Sequence, residues 1–326
     1  MNYSRRIAAA VLSALMAFAG TSLGAHAAYP DRPVKIVVPF APGGTTDFTA
    51  RLIGQALYEQ TGKPFVIENR TGATGTIGNA AVARSAPDGY TLMMADTTTA
   101  MVPWLYKQLP FDLLRDLQPL SQVISTPMAV MINPGVKANT LAELIALAKA
   151  APGSINYGSG GVGSNTHLGA EMFRKAAGIA ITHVPYRGAG DALQAVLGGQ
   201  VQLLIAAMPT ALPHATSGRV RVLAVTSQGK RVGALPDVPT TAEAGLPAFT
   251  VLNWFGLMAP AKTPKEILSQ VHGEVVKALA NPEVRSRIST QGAEPVGSTP
   301  EEFTRLFRDE VERWGKVIKE TGVQPE

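Results

Sequence analysis

The 326-residue sequence contains no cysteine. Disulfides, thiolate metal sites, a cysteine nucleophile and a lipid-modified N-terminal cysteine are therefore excluded together. Charged side chains are scarce, at 16%, where soluble domains carry about a quarter. Hydrophobic residues stand at an ordinary 46%, so wholesale disorder is excluded as well. No G-x-S-x-G elbow marks a hydrolase nucleophile. His167, His183, His214 and His272 show no H-E-x-x-H or other metal-ligand spacing. No Lys/Arg run or basic–aromatic interleaving offers a track for a phosphate backbone, which argues against nucleic acid as a partner.

What is present starts with the N-terminus. Arg5 and Arg6 precede an apolar run, Ile7 to Ala19, and Ala25-His26-Ala27 supplies small residues at a cleavage site. These features are those of a signal peptide spanning 1–27, removed to leave a chain beginning at Ala28. The run is shorter than the roughly 20 residues a membrane-spanning helix needs. No later segment reaches about 18 consecutive apolar residues, so the mature protein is expected to be soluble and periplasmic, without a lipid anchor. Loss of Arg5 and Arg6 takes the formal net charge from +5 to +3.

The remaining length suits about two domains. Short β-branched runs alternate with helical patterns, which predicts a largely parallel sheet with crossover helices. Strands are expected at 34–38, 65–68, 91–95, 128–132, 155–157, 183–186, 201–206 and 220–225. Helical spacing runs from Thr46 to Gln60 and from Gly78 to Ala86. Capping boxes open helices at Thr140 and Thr299. Phe303, Phe307, Val311, Trp314 and Ile318 recur at helical spacing and are expected in the core. Proline and glycine punctuation clusters near 125–135 and 233–264.

Three turns between strands and helices could carry chemistry: Phe40 to Asp47, Arg70 to Thr76, and Gly158 to Asn165. Each offers backbone N–H groups and small hydroxyls at a helix N-terminus, a setting that favours anions. Each also has a plain reading as a capped turn, with Asp47 stabilising its own helix and pairing with Arg51. Gly158, Gly160 and Gly163 fit a G-x-G-x-x-G dinucleotide fingerprint, but the next strand, His183 to Tyr186, lacks the acid that would hold a ribose. A nicotinamide-dependent oxidoreductase is therefore the alternative to a binding protein. No metal or cofactor is implied.

Several ordered motifs carry a resemblance: V-P-F-A-P-G-G-T-T-D from Val38, G-A-T-G-T-I-G from Gly72, P-D-G-Y-T-L from Pro87, and N-Y-G-S-G-G-V-G-S-N-T-H-L from Asn156. V-P-Y-R-G from Val184, L-P-D-V-P-T-T-A-E-A-G from Leu235 and P-A-K-T-P from Pro260 continue them. With these motifs the chain resembles the Bug receptors, the extracytoplasmic solute-binding proteins of the tripartite tricarboxylate transporter (TctC-like) group. The resemblance covers essentially the whole mature chain. It implies an α/β, two-lobed type II periplasmic binding protein fold, each lobe a mixed sheet flanked by helices, closing like a Venus flytrap. Lobe 1 would comprise 29–124 plus 254–326, and lobe 2 would comprise 125–253. The implied ligand is a small organic acid or related amide, and the implied partners are membrane subunits of a transporter or a sensor protein. The chain itself would be a monomer.

On matching positions the resemblance implies ligand contacts from Phe40, Gly43, Gly44, Thr45, Thr46 and Asp47, with Ala73 and Thr74 beside them. From lobe 2 it implies Ser159, Gly160, Gly163, Ser164 and Asn165, with Gly188 and Asp191. Gln202 stands where the family often has Asp and is given no role.

Overall fold

The computed structural model describes residues 29–323. The expected signal peptide and its cleavage site lie outside these residues. Strands β1 (Val34–Val38), β2 (Phe65–Asn69) and β3 (Thr91–Asp96) are parallel, with β1 between the other two. Parallel neighbours need a crossover, and α1 (Thr45–Thr61) and α2 (Thr76–Ala83) provide it. Leu52, Ile53, Ala56 and Leu57 of α1 are buried as their spacing requires, and Gly62 ends the helix at φ 68°.

After α3 (Thr97–Leu105) and the short α4 (Leu113–Asp116) comes β4 (Leu117–Ile132), a strand of 16 residues. From Leu117 to Pro127 it pairs antiparallel with β9 (Leu252–Pro260), which in turn pairs with β3. From Met128 to Ile132 it pairs instead with β7 (Leu203–Ala207) and β8 (Arg221–Val225). One strand thus passes from the first sheet into a second. There β5 (Asn156–Ser159) lies parallel to β6 (Thr182–Pro185) and β7, with α5 (Leu141–Ala150), α6 (Asn165–Ala177), α7 (Ala189–Leu197) and α8 (Met208–Thr216) between strands. The C-terminal elements return to the first sheet: α9 (Lys265–Ala280), α10 (Pro282–Ser289), β10 (Glu294–Pro295) against β4, and α11 (Pro300–Thr321). The outcome is a two-lobed α/β fold with a mixed sheet in each lobe.

Two stretches differ from the sequence expectation. Residues 117–127 and all of β9 are strand, although the sequence pattern marks no strand there. Pro119 and Pro127 punctuate β4, and its register shifts twice against β9, between Pro119 and Ser121 and between Gln122 and Ile124. Such bulges accommodate residues that cannot donate to a ladder. These strands are also buried almost throughout, which removes the polar–apolar alternation that identifies a half-exposed strand.

The C-terminal helix behaves as its sequence dictates. Thr299 and Glu302 form a reciprocal capping box at its start. Phe303, Phe307, Trp314 and Ile318 are buried, and Trp254 of β9 meets Phe303 and Phe307 edge-on at ring separations of 5.2 and 5.8 Å. The helix also touches α6, so it braces both lobes.

Candidate functional site

The carboxyl ends of β1, β3, β5 and β7 meet between the lobes, where ligands of open α/β sheets bind. A cavity there is lined by Phe40, Ala41, Gly44, Thr45, Thr46 and Asp96 from the first lobe. Gly160, Ser164, Asn165, Thr166, Ala189, Ala207 and Thr210 line it from the second, with Phe255 from β9. Its enclosed volume is about 20 Å³, room for one water molecule. The lobes are closed directly on each other.

Closure is held by polar contacts across the gap. The Thr45 N–H donates to Thr210 Oγ1 at 3.0 Å, and the two hydroxyls lie 2.8 Å apart. The Asn165 N–H donates to Thr98 Oγ1 at 3.1 Å, Thr74 Oγ1 donates to the Val162 carbonyl at 2.7 Å, and the Ala41 N–H reaches the Arg187 carbonyl at 3.3 Å. Glycine makes this approach possible. A Cβ on Gly190 would fall 2.0 Å from the Pro42 carbonyl oxygen, and one on Gly188 would fall 2.9 Å from the Ala41 nitrogen.

Three helices begin at the cavity wall without a side-chain cap: α1 after Gly44, α7 after Gly188 and α8 after Ala207. No side chain at their N-caps accepts from these first turns, and their dipoles point positive ends inward. Two more helices start at the wall and are capped there, α6 by Ser164 and α3 by Asp96.

The sequence-derived candidates divide into groups. Phe40, Gly44, Thr45, Thr46, Gly160, Ser164 and Asn165 line the cavity. Gly43 and Gly188 form the lip where the lobes touch. Ala73 and Thr74 hold left-handed φ values of 45° and 50°, rare for non-glycine residues, and this turn aims Thr74 across the gap. Asp47 turns away: it accepts from the Gly43 N–H at 3.1 Å, Arg51 Nε at 2.9 Å and Asn69 Nδ2 at 3.1 Å. Burial alone would raise its carboxyl, but the bonds from Arg51, Asn69 and Gly43 outweigh it and hold the group below the usual range. Asp191 pairs outward with Arg187 at 2.9 Å. Gln202, away from the cavity lining, accepts from the Asn156 N–H at 3.0 Å and so holds β5.

Ser159 and Gly163 sit behind the cavity wall. Ser159 is fully buried and its hydroxyl meets His183 Nε2. The Gly163 N–H donates to His167 Nδ1 at 2.9 Å, which puts the proton of that ring on Nε2. The His167 and His183 rings stack 3.9 Å apart, with Tyr157 over His183 at 5.0 Å. Burial, reinforced by Arg174, depresses the His167 imidazolium to about 4. Burial and the neighbouring His167, against a smaller opposing effect of Glu171, bring His183 to about 4 as well. An unfolded chain takes up protons on both near pH 6.5, so stability from this pair is complete above that pH and declines as pH falls toward 4. Imidazole proton resonances should show both rings neutral down to about pH 5, with melting temperature falling over the same window. Titration of either ring near 6.5 would contradict this packing.

Sequence reasoning missed Asp96, Thr98, Thr210 and Phe255. The signal for Asp96 was available, an acid at the carboxyl end of a strand, but Asp-Thr-Thr-Thr reads first as a helix cap. Asp96 does cap α3, accepting from the Thr98 N–H. Nothing in Ala-Ala-Met-Pro-Thr resembles a glycine-rich turn, so Thr210 carries no comparable mark.

Comparison with known proteins agrees with this geometry. The model of the tripartite tricarboxylate transporter family receptor matches residues 49–323. Protein BugT of Bordetella pertussis (strain Tohama I) is 38% identical over 327 residues, covering 99% of each chain. Rpa4515 of R. palustris, solved with adipate, is 36% identical with a TM-score of 0.88, over 91% of this chain and 100% of that one. MatC (Rpa3494) from Rhodopseudomonas palustris, solved with bound malate, is 33% identical with a TM-score of 0.84, over 89% of this chain and 100% of that one.

Proposed function

The chain belongs to the tripartite tricarboxylate transporter receptor family, and on that premise we propose that it captures a small organic acid between its lobes in the periplasm and delivers it to the membrane subunits of a transporter. The family is one of substrate-binding receptors, not of enzymes, which sets aside the oxidoreductase alternative. The observation that carries the proposal is the convergence of three uncapped helix N-termini, from both lobes, on one cavity with hydroxyl and glycine walls. Such a site holds a carboxylate with neutral donors. Adipate and malate in the related structures are acids of this kind.

Sheet pairing supports the lobe division. The change of partner along β4 falls between Pro127 and Met128, close to the proposed boundary at 124/125, and β9 begins at Leu252, close to 253/254. Among the described residues no helix is long and apolar enough to cross a membrane. An acid entering the cleft replaces Thr210 Oγ1 as the acceptor for the Thr45 N–H and as the partner of its hydroxyl.

Titration calorimetry with malate, succinate, adipate, L-aspartate and benzoate tests the reading. At least one acid should bind 1:1, be recovered chemically unchanged, and raise the melting temperature. Thr45→Ala should weaken that acid by about 1–3 kcal/mol, the cost of a ligand oxygen left unpaired in a closed site. Failure of every acid to bind would refute the proposal.

A further inference from the structure

Among the described residues, Asp96 is the one ionisable side chain that lines the cavity between the lobes. It lies at the end of β3, opposite Phe255 in the ladder, and is 3% exposed. Oδ2 accepts from Thr46 Oγ1 at 2.8 Å, and Oδ1 accepts from the Thr98 N–H at 2.9 Å. A carboxylate has about four acceptor positions, and these two bonds with a further one from the Thr98 side chain leave one open. Among the described residues no Lys, Arg or His lines the cavity, and none contributes to the state of the Asp96 carboxyl. Asp47, next in sequence to the Thr46 that donates to Asp96, has Arg51 as its counter-charge. Asp96 has none among the described residues.

This combination restricts what an acid must look like to fit. Its carboxylate is held by the helix N-termini, but some other part of the molecule meets Asp96 once the lobes exclude water. A second anion there would face an unneutralised charge at low dielectric. A methylene there would leave the remaining Asp96 lone pair desolvated and unpaired. A hydroxyl, amide N–H or ammonium group satisfies it.

Resting on the carboxylate-receptor reading above, we propose that Asp96 makes the cleft selective for organic acids that carry a hydrogen-bond donor beside the carboxylate, over acids of equal length that lack one. Burial pushes the Asp96 carboxyl up to about 6, with the bonds from Thr46 and Thr98 offsetting part of that rise. At pH 8 it is therefore ionised and acts as an acceptor only.

The test is calorimetry at pH 8 on the mature protein with matched pairs: L-malate and L-aspartate each against succinate, and 2-hydroxyadipate against adipate. In at least one pair the donor-bearing acid should bind about tenfold tighter or more. Asp96→Asn keeps a good helix cap, to be verified by its melting temperature, and should reduce that preference to about threefold or less. Equal affinities within every pair, or a preference unchanged in Asp96→Asn, would overturn the inference while leaving the carboxylate reading intact. Failure of all these acids to bind would overturn both. Should Asp96→Asn not fold, the wild-type pairs decide alone.

Discussion

Gly190→Ala should reduce acid affinity by about 100-fold or more while leaving the melting temperature unchanged or slightly raised. The residue lies in the first turn of α7 with no left-handed backbone requirement, and alanine is the better helix former. Within its own lobe the substitution is therefore harmless. Across the cleft it is not. The new Cβ would sit 2.0 Å from the Pro42 oxygen, 3.0 Å from the Pro42 carbonyl carbon and 3.1 Å from the Gly43 carbonyl carbon. All three are backbone atoms, which cannot rotate aside. Overpacking costs about 1–3 kcal/mol where neighbours can yield, and this contact belongs at the top of that range or beyond. The closed state becomes rare, and apparent affinity falls with its population. Calorimetric titration beside a thermal scan checks both halves. Affinity like the wild type's would mean that the bound state does not bring α7 against the Pro42 turn.

The largest effect on stability should come from Trp314→Ala, a loss of about 3–5 kcal/mol. Trp314 is fully buried in α11. Its indole N–H donates to Glu310 Oε2 at 2.8 Å, and Arg313 holds the other oxygen of that buried carboxylate at 2.7 Å. Truncation removes a large apolar surface, opens a cavity and leaves Glu310 short of one partner. Because α11 packs on α3 of the first lobe and α6 of the second, the damage should reach both. Urea unfolding followed by circular dichroism reads the effect. A loss below about 1 kcal/mol would show that the C-terminal helix is not the brace described here.

What the sequence made legible follows from where physical signals are local. The β1 run of valine and isoleucine, the helix of Leu52, Ile53, Ala56 and Leu57, and the capping box at Thr299 each declare themselves within a few residues, and each forms as expected. The loops at Phe40–Asp47 and Gly158–Asn165 were visible because glycine and small hydroxyls cluster there. The strands that join the lobes were not. Residues 117–127 contain Pro119 and are buried on both faces, and β9 follows a proline-rich segment, so neither shows a period of two. Their strand character comes from pairing with each other across more than a hundred residues of chain, which no local window contains. The same limit hid Thr210, whose role depends on meeting Thr45 from the other lobe. It also obscured the division of labour within the loops. Asp47 and Ser159 sit beside cavity residues in sequence, yet Arg51 and Asn69 draw one away and His183 draws the other.

The central claim is that the two lobes close around a small organic acid. The absence of cysteine permits a clean pair of spin labels, one at Gln55→Cys on α1 and one at Gln194→Cys on α7, both exposed. These helices start on opposite sides of the cleft and separate when it opens. Pulsed electron–electron distance measurement on this double variant, with and without an acid shown by calorimetry to bind, reads the motion directly. The acid should shift the distance distribution to a shorter and narrower one, and adding Gly190→Ala should prevent the shift. An acid that binds while the distribution stays unchanged would contradict the claim.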